Sequence, residues 1–334
     1  MNVLFATAFG ATQHRGREWL TKLRIQARRP GDLAFRGLIT LFVLAVLAVV
    51  VGVVWVLVSG SVPTIRAFGL SFVSNEAFDP VHNVYGVRPA IFGTLVTSAF
   101  ALVCAVPIGI GTAVFLVDFC PRPLRGPVAF LVDALAAIPS VVIGLWGFLV
   151  FAPWLQRTGE PWLNQHLGFI PLFQGTAHGV GLLAAGLILT VMILPIITAI
   201  SREVMLVVPT SQREALLALG ATRWEVIRHA VLPFARVGIL GGAILALGRA
   251  LGETIAVTLV VGNQAAPPSA SLFNTGYTLS SVIANQFFEA NGGLFISAVV
   301  EAGLILLVLT LITNVLARLL VARIGRAHVG GFVA

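Results

Sequence analysis

Residues 179–200 read GVGLLAAGLILTVMILPIITAI and run directly into residues 201–236, SREVMLVVPTSQREALLALGATRWEVIRHAVLPFAR. The first stretch has 22 residues and no charge. About 20 such residues cross the roughly 30 Å of bilayer hydrocarbon as a helix. The second stretch restores charge and carries helix signals: Ser211 three residues before Glu214, and Thr222 three residues before Glu225. Both pairs fit a capping box, with Gly220 between them where a helix end favours a left-handed residue. Pro233 is expected to stop the second short helix. The junction therefore reads as a membrane span followed by two amphipathic helices at its surface.

Five further apolar segments extend the same reading, at about 36–58, 90–119, 127–152, 237–262 and 294–317. Charged residues make up 10% of the chain and apolar ones 58%, against about 25% and 45–50% in soluble proteins. That balance excludes both an ordinary soluble globule and a disordered chain. Every backbone group in lipid must be satisfied within its own segment, so the predicted class is all-α: a polytopic membrane protein with six transmembrane helices.

Charge placement predicts the topology. Of 21 Lys and Arg residues, those at 1–36, Arg122, Arg125, those at 201–236 and Arg318, Arg323 and Arg326 fall on one side. Arg66, Arg88 and Arg157 fall on the other, and Arg249 lies inside a span. This asymmetry places both termini in the cytoplasm. It also accounts for the net charge of +8 without a nucleic-acid partner. A DNA-binding helix-turn-helix at 201–236 is disfavoured because spans pin the loop to the bilayer on both sides. The division predicted is a basic N-terminal tail at 1–35, a first span at 36–58, an outward segment at 59–89, a core domain at 90–317 and a C-terminal tail at 318–334.

Enzyme signatures are missing. Lys22 is the only lysine and Leu23 follows it, so no Gly-Lys-Ser/Thr phosphate loop exists. Gly179-Val-Gly181 opens an apolar run with no strand before it, which argues against a dinucleotide site. The six histidines are scattered, and Cys104 and Cys120 form no metal or disulfide framework, so no metal, cofactor or catalytic residue is expected.

Within 237–262, a helical projection groups Gly238, Gly242, Ala246, Arg249 and Glu253 on one arc. Leu240, Ile244, Leu247 and Leu251 fall opposite, towards lipid. The expectation is an intramembrane i, i+4 pair, Arg249 with Glu253, facing the bundle interior. A charge at mid-bilayer costs about 2.5–3.5 kcal/mol even on the mildest scale, so it points to a substrate path. Plain packing is the competing reading. Glu301, about 12 Å into the last span by helical rise, is a further path candidate. Pro107, Pro139 and Pro195 are expected to kink their spans.

Glu214-Ala215, then Gly220, then Leu232-Pro233 resembles the EAA loop of bacterial ABC-importer permeases, with the spacing kept and Leu216 and Ala230 at two variant positions. FDPVHNVYGVRPAIFGTLVTSAFALVCAVP (78–107), ALAAIPSVVIGLWG (134–147), GRALGETIAVTLVVGN (248–263) and SLFNTGYTLSSVIANQF (271–287) are similar to the PstC-type permease of the phosphate-specific ABC transporter. Phe78 stands where that family usually has Trp. The resemblance implies a type I ABC-importer permease fold in the bacterial inner membrane. It implies that Glu214, Ala215, Gly220, Leu232 and Pro233 couple to the ATPase, and that Arg249, Glu253 and Glu301 serve the phosphate path. The partners it implies are a second homologous permease, two ATP-binding subunits, a periplasmic or lipid-anchored phosphate-binding protein and membrane lipid. No cofactor is expected on this chain, with ATP-Mg held by the ATPase subunits. Outward segments 70–88 and 264–292 are expected to seat the binding protein. The alternatives are the partner permease of the same system, a permease for another oxyanion, or a secondary transporter driven by an ion gradient. The last would show inverted repeats or several intramembrane carboxylates, and neither is evident.

Overall fold

A computed structural model describes residues 30–264 and 267–329. Most of the basic N-terminal tail, and the end of the C-terminal one, lie outside the described residues. The described chain is helical, with isolated bridges at Asp79–Val84 and Gly262–Gly276. Among the described residues, six helices are long and apolar enough to cross a membrane.

The first, α1, covers Pro30–Phe68. Its part up to Ser59 forms a compact unit of its own, apolar around its whole circumference and exposed along its length. A helix apolar on every side belongs in lipid rather than water.

The second unit begins at Gly60. Its long helices are α2 (Arg88–Phe119), α4 (Ser140–Leu167), α5 (Leu182–Leu206), α7 (Arg223–Leu251) and α10 (Gly293–Val329). Shorter ones are α3 (Arg122–Ala137), α6 (Thr210–Ala218), α8 (Ile255–Val260) and α9 (Leu279–Gln286). The core forms where α5 lies against α2 and α7. Gly109 meets Ile197, Gly186 meets Phe100, Gly238 meets Val204 and Gly242 meets Ile200, each so closely that a Cβ would collide. Small residues at these crossings let backbones approach, which is how helices associate where lipid removes the hydrophobic drive.

Several expected boundaries are corrected. The third span begins at Ser140, not near 127. Ile138 is extended ahead of Pro139, as the residue before a proline tends to be, so Pro139 ends α3 instead of kinking a span. Residues 122–137 form a separate amphipathic helix with no buried residue. Pro107 and Pro195, by contrast, sit within continuous helices. Pro233 stops nothing. The helix passes through it into the fifth span by way of a π turn at Ile227–Val231, whose wider ring leaves room for the proline and its missing N–H. That fifth span starts at Arg223 and ends at Leu251, whereas the sequence suggested 237–262; Gly252, Glu253 and Thr254 separate it from α8.

At the end of the unit away from α6, a second cluster joins the 72–87 segment to α9 and α10. Tyr85 is fully buried there, stacked 5.9 Å from Phe295 and edge-on to Phe68 and Phe78. A third cluster, at the α6 end, holds Ala113, Val114, Val117, Met205, Val226, Ile227 and Val231.

Candidate translocation groove and docking loop

The break after α7 decides where the charged pair sits. Gly252 ends the helix, and Glu253 N–H donates to Ala250 O at 3.4 Å, a tighter turn than α-helix makes. Glu253 therefore leaves the helical register. Among the described residues no ion pair links it to Arg249, and the expected i, i+4 bridge is absent. The break is pinned from α9: Ser280 Oγ donates to Glu253 O at 2.7 Å. Leu251, expected to face lipid, is instead 1% exposed, a core residue at the end of α7.

Arg249 occupies the last turn of α7, where the helix dipole favours a cation. It does not face the buried interior. Gly242, Ala243, Ala246 and Ala250 take the buried face, while Arg249 is exposed and lines an open groove of about 1530 Å³ between α7 and α10. Glu253 lines the same groove. Arg249 also borders a separate 240 Å³ cavity with Ile138, Ile143, Met192 and Ile196.

The opposite wall of the groove carries residues the sequence reading did not assign to a path. Thr310, Asn314 and Arg318 recur every four residues along α10 and all line it. Asn314 comes within 3.6 Å of where a Cβ on Gly248 would lie. The four-residue polar spacing in an apolar span was the available signal, masked by treating Arg318 as a topology charge alone. Glu301 is not among the groove residues. It is 5% exposed, and its Oε2 has no partner among the described residues.

The loop at the other end of α7 is built as two short helices. Thr222 and Glu225 form the expected reciprocal cap, Glu225 N–H to Thr222 Oγ1 at 3.3 Å and Thr222 N–H to Glu225 Oε2 at 2.7 Å. Ser211 forms no such cap: α6 starts one residue earlier, at Thr210, after Pro209. Gly220 has φ +86° with open space around it, so conformation and not crowding demands glycine. Ala221 N–H to Leu216 O and Gly220 N–H to Leu217 O, both 3.0 Å, complete a Schellman turn. Glu214 and Ala215 are exposed, as are Leu217, Leu219 and Trp224 at 49%, 84% and 56%. Leu232 packs on the third cluster and Pro233 is exposed. The coupling candidates thus split: Glu214 and Ala215 lie on the presented face beside apolar side chains, Gly220 shapes the turn, and Leu232 anchors its base.

Asp118, at the end of α2, went unremarked in the sequence. Its Oδ1 accepts from Arg213 Nη1 at 2.5 Å, and Arg213 Nη2 donates to Met205 O at 2.9 Å.

Residues 105–326 match the sequence family described as binding-protein-dependent transport system inner membrane component. The chain belongs to that family. The permease is also 45% identical over 297 residues to the phosphate transport system permease protein PstC of Mesorhizobium japonicum, covering 88% of this chain and 90% of that one. It is 42% identical to the PstC of Haemophilus influenzae (86% and 92% covered) and 44% identical to PstC 2 of Mycobacterium tuberculosis (82% and 86%). Among solved structures, a bacterial ABC transporter involved in import of the acidic polysaccharide alginate superposes with TM-score 0.52 at 18% identity, covering 84% and 96%. The inward-facing MetNI methionine ABC transporter gives 0.50 at 23%, covering 72% and 94%. These establish the fold as that of ABC-importer permeases. The permease is a multi-pass inner-membrane protein.

Proposed function

We propose that this permease forms one half of the translocation path of an ATP-driven phosphate importer. The open groove carries the reading. A lone guanidinium facing hydrocarbon costs several kcal/mol, so in the membrane the Arg249 face needs water, an anion or protein against it. A second, homologous permease laid over α7 and α10 supplies all three conditions by enclosing a wet path. The names of the relatives support phosphate as the cargo.

Within that path Arg249 offers a planar fork of donors suited to two phosphate oxygens. Glu253, four residues on and across the break, competes for the same donors and keeps the anion from being held too tightly. Asn314 and Thr310 supply neutral hydrogen-bonding groups on the facing wall. Two ATP-binding subunits carry the ATP-Mg; this chain holds no cofactor or metal of its own. One of them seats on the Glu214–Trp224 face, and a phosphate-binding protein delivers cargo at the opposite end. Both termini lie in the cytoplasm.

The test is uptake of radiolabelled phosphate by the four-part complex in proteoliposomes, with ATP inside. ATP-dependent uptake that requires the binding protein supports the proposal. Equal uptake of sulfate would favour another oxyanion, and uptake by this chain alone under an ion gradient would favour a secondary transporter.

A further inference from the structure

The coupling loop has an inner side as well as a presented one, and on α6 Arg213 and Leu216 turn towards it. Arg213 precedes the exposed Glu214 on α6 and turns inward, where it reaches the ends of two spans at once. One guanidinium nitrogen bonds Asp118 Oδ1 in the π turn that closes α2, and another bonds the carbonyl of Met205 in the last turn of α5. Both side chains are largely withdrawn from solvent, at 21% and 16% exposure. Among the described residues Asp118 Oδ2 has no partner, so Arg213 is the group that holds this carboxylate. The Met205 carbonyl, in the last turn of α5, also accepts Val208 N–H at 3.4 Å. On the other flank, Arg125 Nη2 donates to Val117 O at 2.7 Å, gripping the same turn from α3.

We infer that Arg213 is the positioning strut of the coupling loop: it locks α6 to the ends of α2 and α5, so that a displacement of the docking face moves both spans as one body. The fork geometry suits this task. A guanidinium fixes two acceptors in one plane, whereas a single-point ammonium cannot hold both rigidly. A loop joined to its spans only by apolar contact and by chain connectivity would reach α5, the helix it follows, but would slide on α2. This inference rests on the reading of 201–236 as the ATPase docking site.

The test uses the assembled four-part complex with Cys104 and Cys120 replaced by serine. Spin labels go at Phe115→Cys and Gln212→Cys, both exposed, on α2 and α6. With Arg213 intact, the label distance is expected to be the same without nucleotide and in the ATP–vanadate state. In Arg213→Gln and Asp118→Asn it is expected to shift or broaden on trapping. The stimulation of ATP hydrolysis by loaded binding protein, per assembled complex, is expected to fall at least about fivefold. Arg213→Lys should fall between, keeping the charge but not both bonds. It also serves if the Gln variant assembles poorly. A role confined to folding would lower the amount of complex and leave stimulation per complex and the trapped-state distance unchanged. That result overturns the inference, as does a label distance that changes on trapping in the unaltered protein. If the unaltered complex imports no phosphate, the cargo assignment fails, while the label distances still judge the strut.

Discussion

Arg249 is the residue on which the functional reading turns, and its surroundings set a sharp expectation for its removal. Because it is exposed and makes no ion pair among the described residues, Arg249→Gln orphans no buried partner. Stability of the complex should change within about 0.5 kcal/mol, the range of ordinary surface substitutions, while phosphate uptake is lost. Arg249→Lys should retain part of the uptake, since a point charge replaces a fork. Thermal unfolding of the complex read beside uptake in cells lacking other phosphate systems decides it. Loss of stability and uptake in parallel would return Arg249 to a packing role. Gly220 makes a second case. Any L-residue there meets the left-handed penalty of about 1–2 kcal/mol, so Gly220→Ala should weaken the loop without touching a neighbour. Hydrolysis stimulated by loaded binding protein should drop, and unchanged stimulation in a fully assembled complex would remove the turn from coupling.

Short elements carry their own tests. The turn at 79–84 is closed by Asp79, whose carboxylate accepts from Val81 N–H and His82 N–H and meets His82 Nδ1 at 2.6 Å. The hydrogen bond from the His82 side chain holds the Asp79 carboxyl below its ordinary value of 3.8. A carboxyl with a lowered value in the folded state supports its turn above the ordinary value and gives up that support as pH falls through the lowered one. Hydrogen exchange at Val81 and Val84, corrected for the intrinsic rate, should therefore stay slow from neutral pH down to about 4 and quicken below it. Asp79→Asn should flatten that dependence; an unchanged acid transition would assign it elsewhere. At the start of α7, Thr222→Ala removes one half of the reciprocal cap and should cost about 1 kcal/mol of helix-end stability, visible as faster exchange at Glu225 N–H and little change in the cap-less α6.

For the molecule as a whole, the number of spans and the two-helix loop at 201–236 were legible in the residues. Twenty-residue apolar runs and lopsided arginines leave few alternatives in lipid. What escaped were the places where a helix changes state inside an apolar run. Nothing in the composition of 127–152 separates the surface helix α3 from the span α4, and only the φ, ψ constraint ahead of Pro139 marks the division. At Pro233 the same residue type misled in the other direction, because a π turn absorbed it. The helical projection of 237–262 set Arg249 inward and Leu251 towards lipid, and the structure reverses both; past Gly252 the register ends, so Arg249 and Glu253 line one groove without pairing along a helix. Asp118 was invisible for another reason. Its partner, Arg213, lies 95 residues away in sequence, and no local period reports such a pair.

The open groove also bears on the life of the chain before assembly. A newly inserted copy without its companion presents a guanidinium to the acyl chains, with an insertion penalty of about 2.5–3.5 kcal/mol that assembly relieves. Under the proposed pairing, unaccompanied copies are the ones a membrane protease can distinguish, and the abundance of this subunit becomes tied to synthesis of the other. Pulse-chase labelling should give the chain a markedly shorter half-life in cells lacking the second permease, and Arg249→Leu should lengthen it there. Equal half-lives in all three backgrounds would mean that the bilayer solvates Arg249 unaided, by thinning or by admitting water beside it.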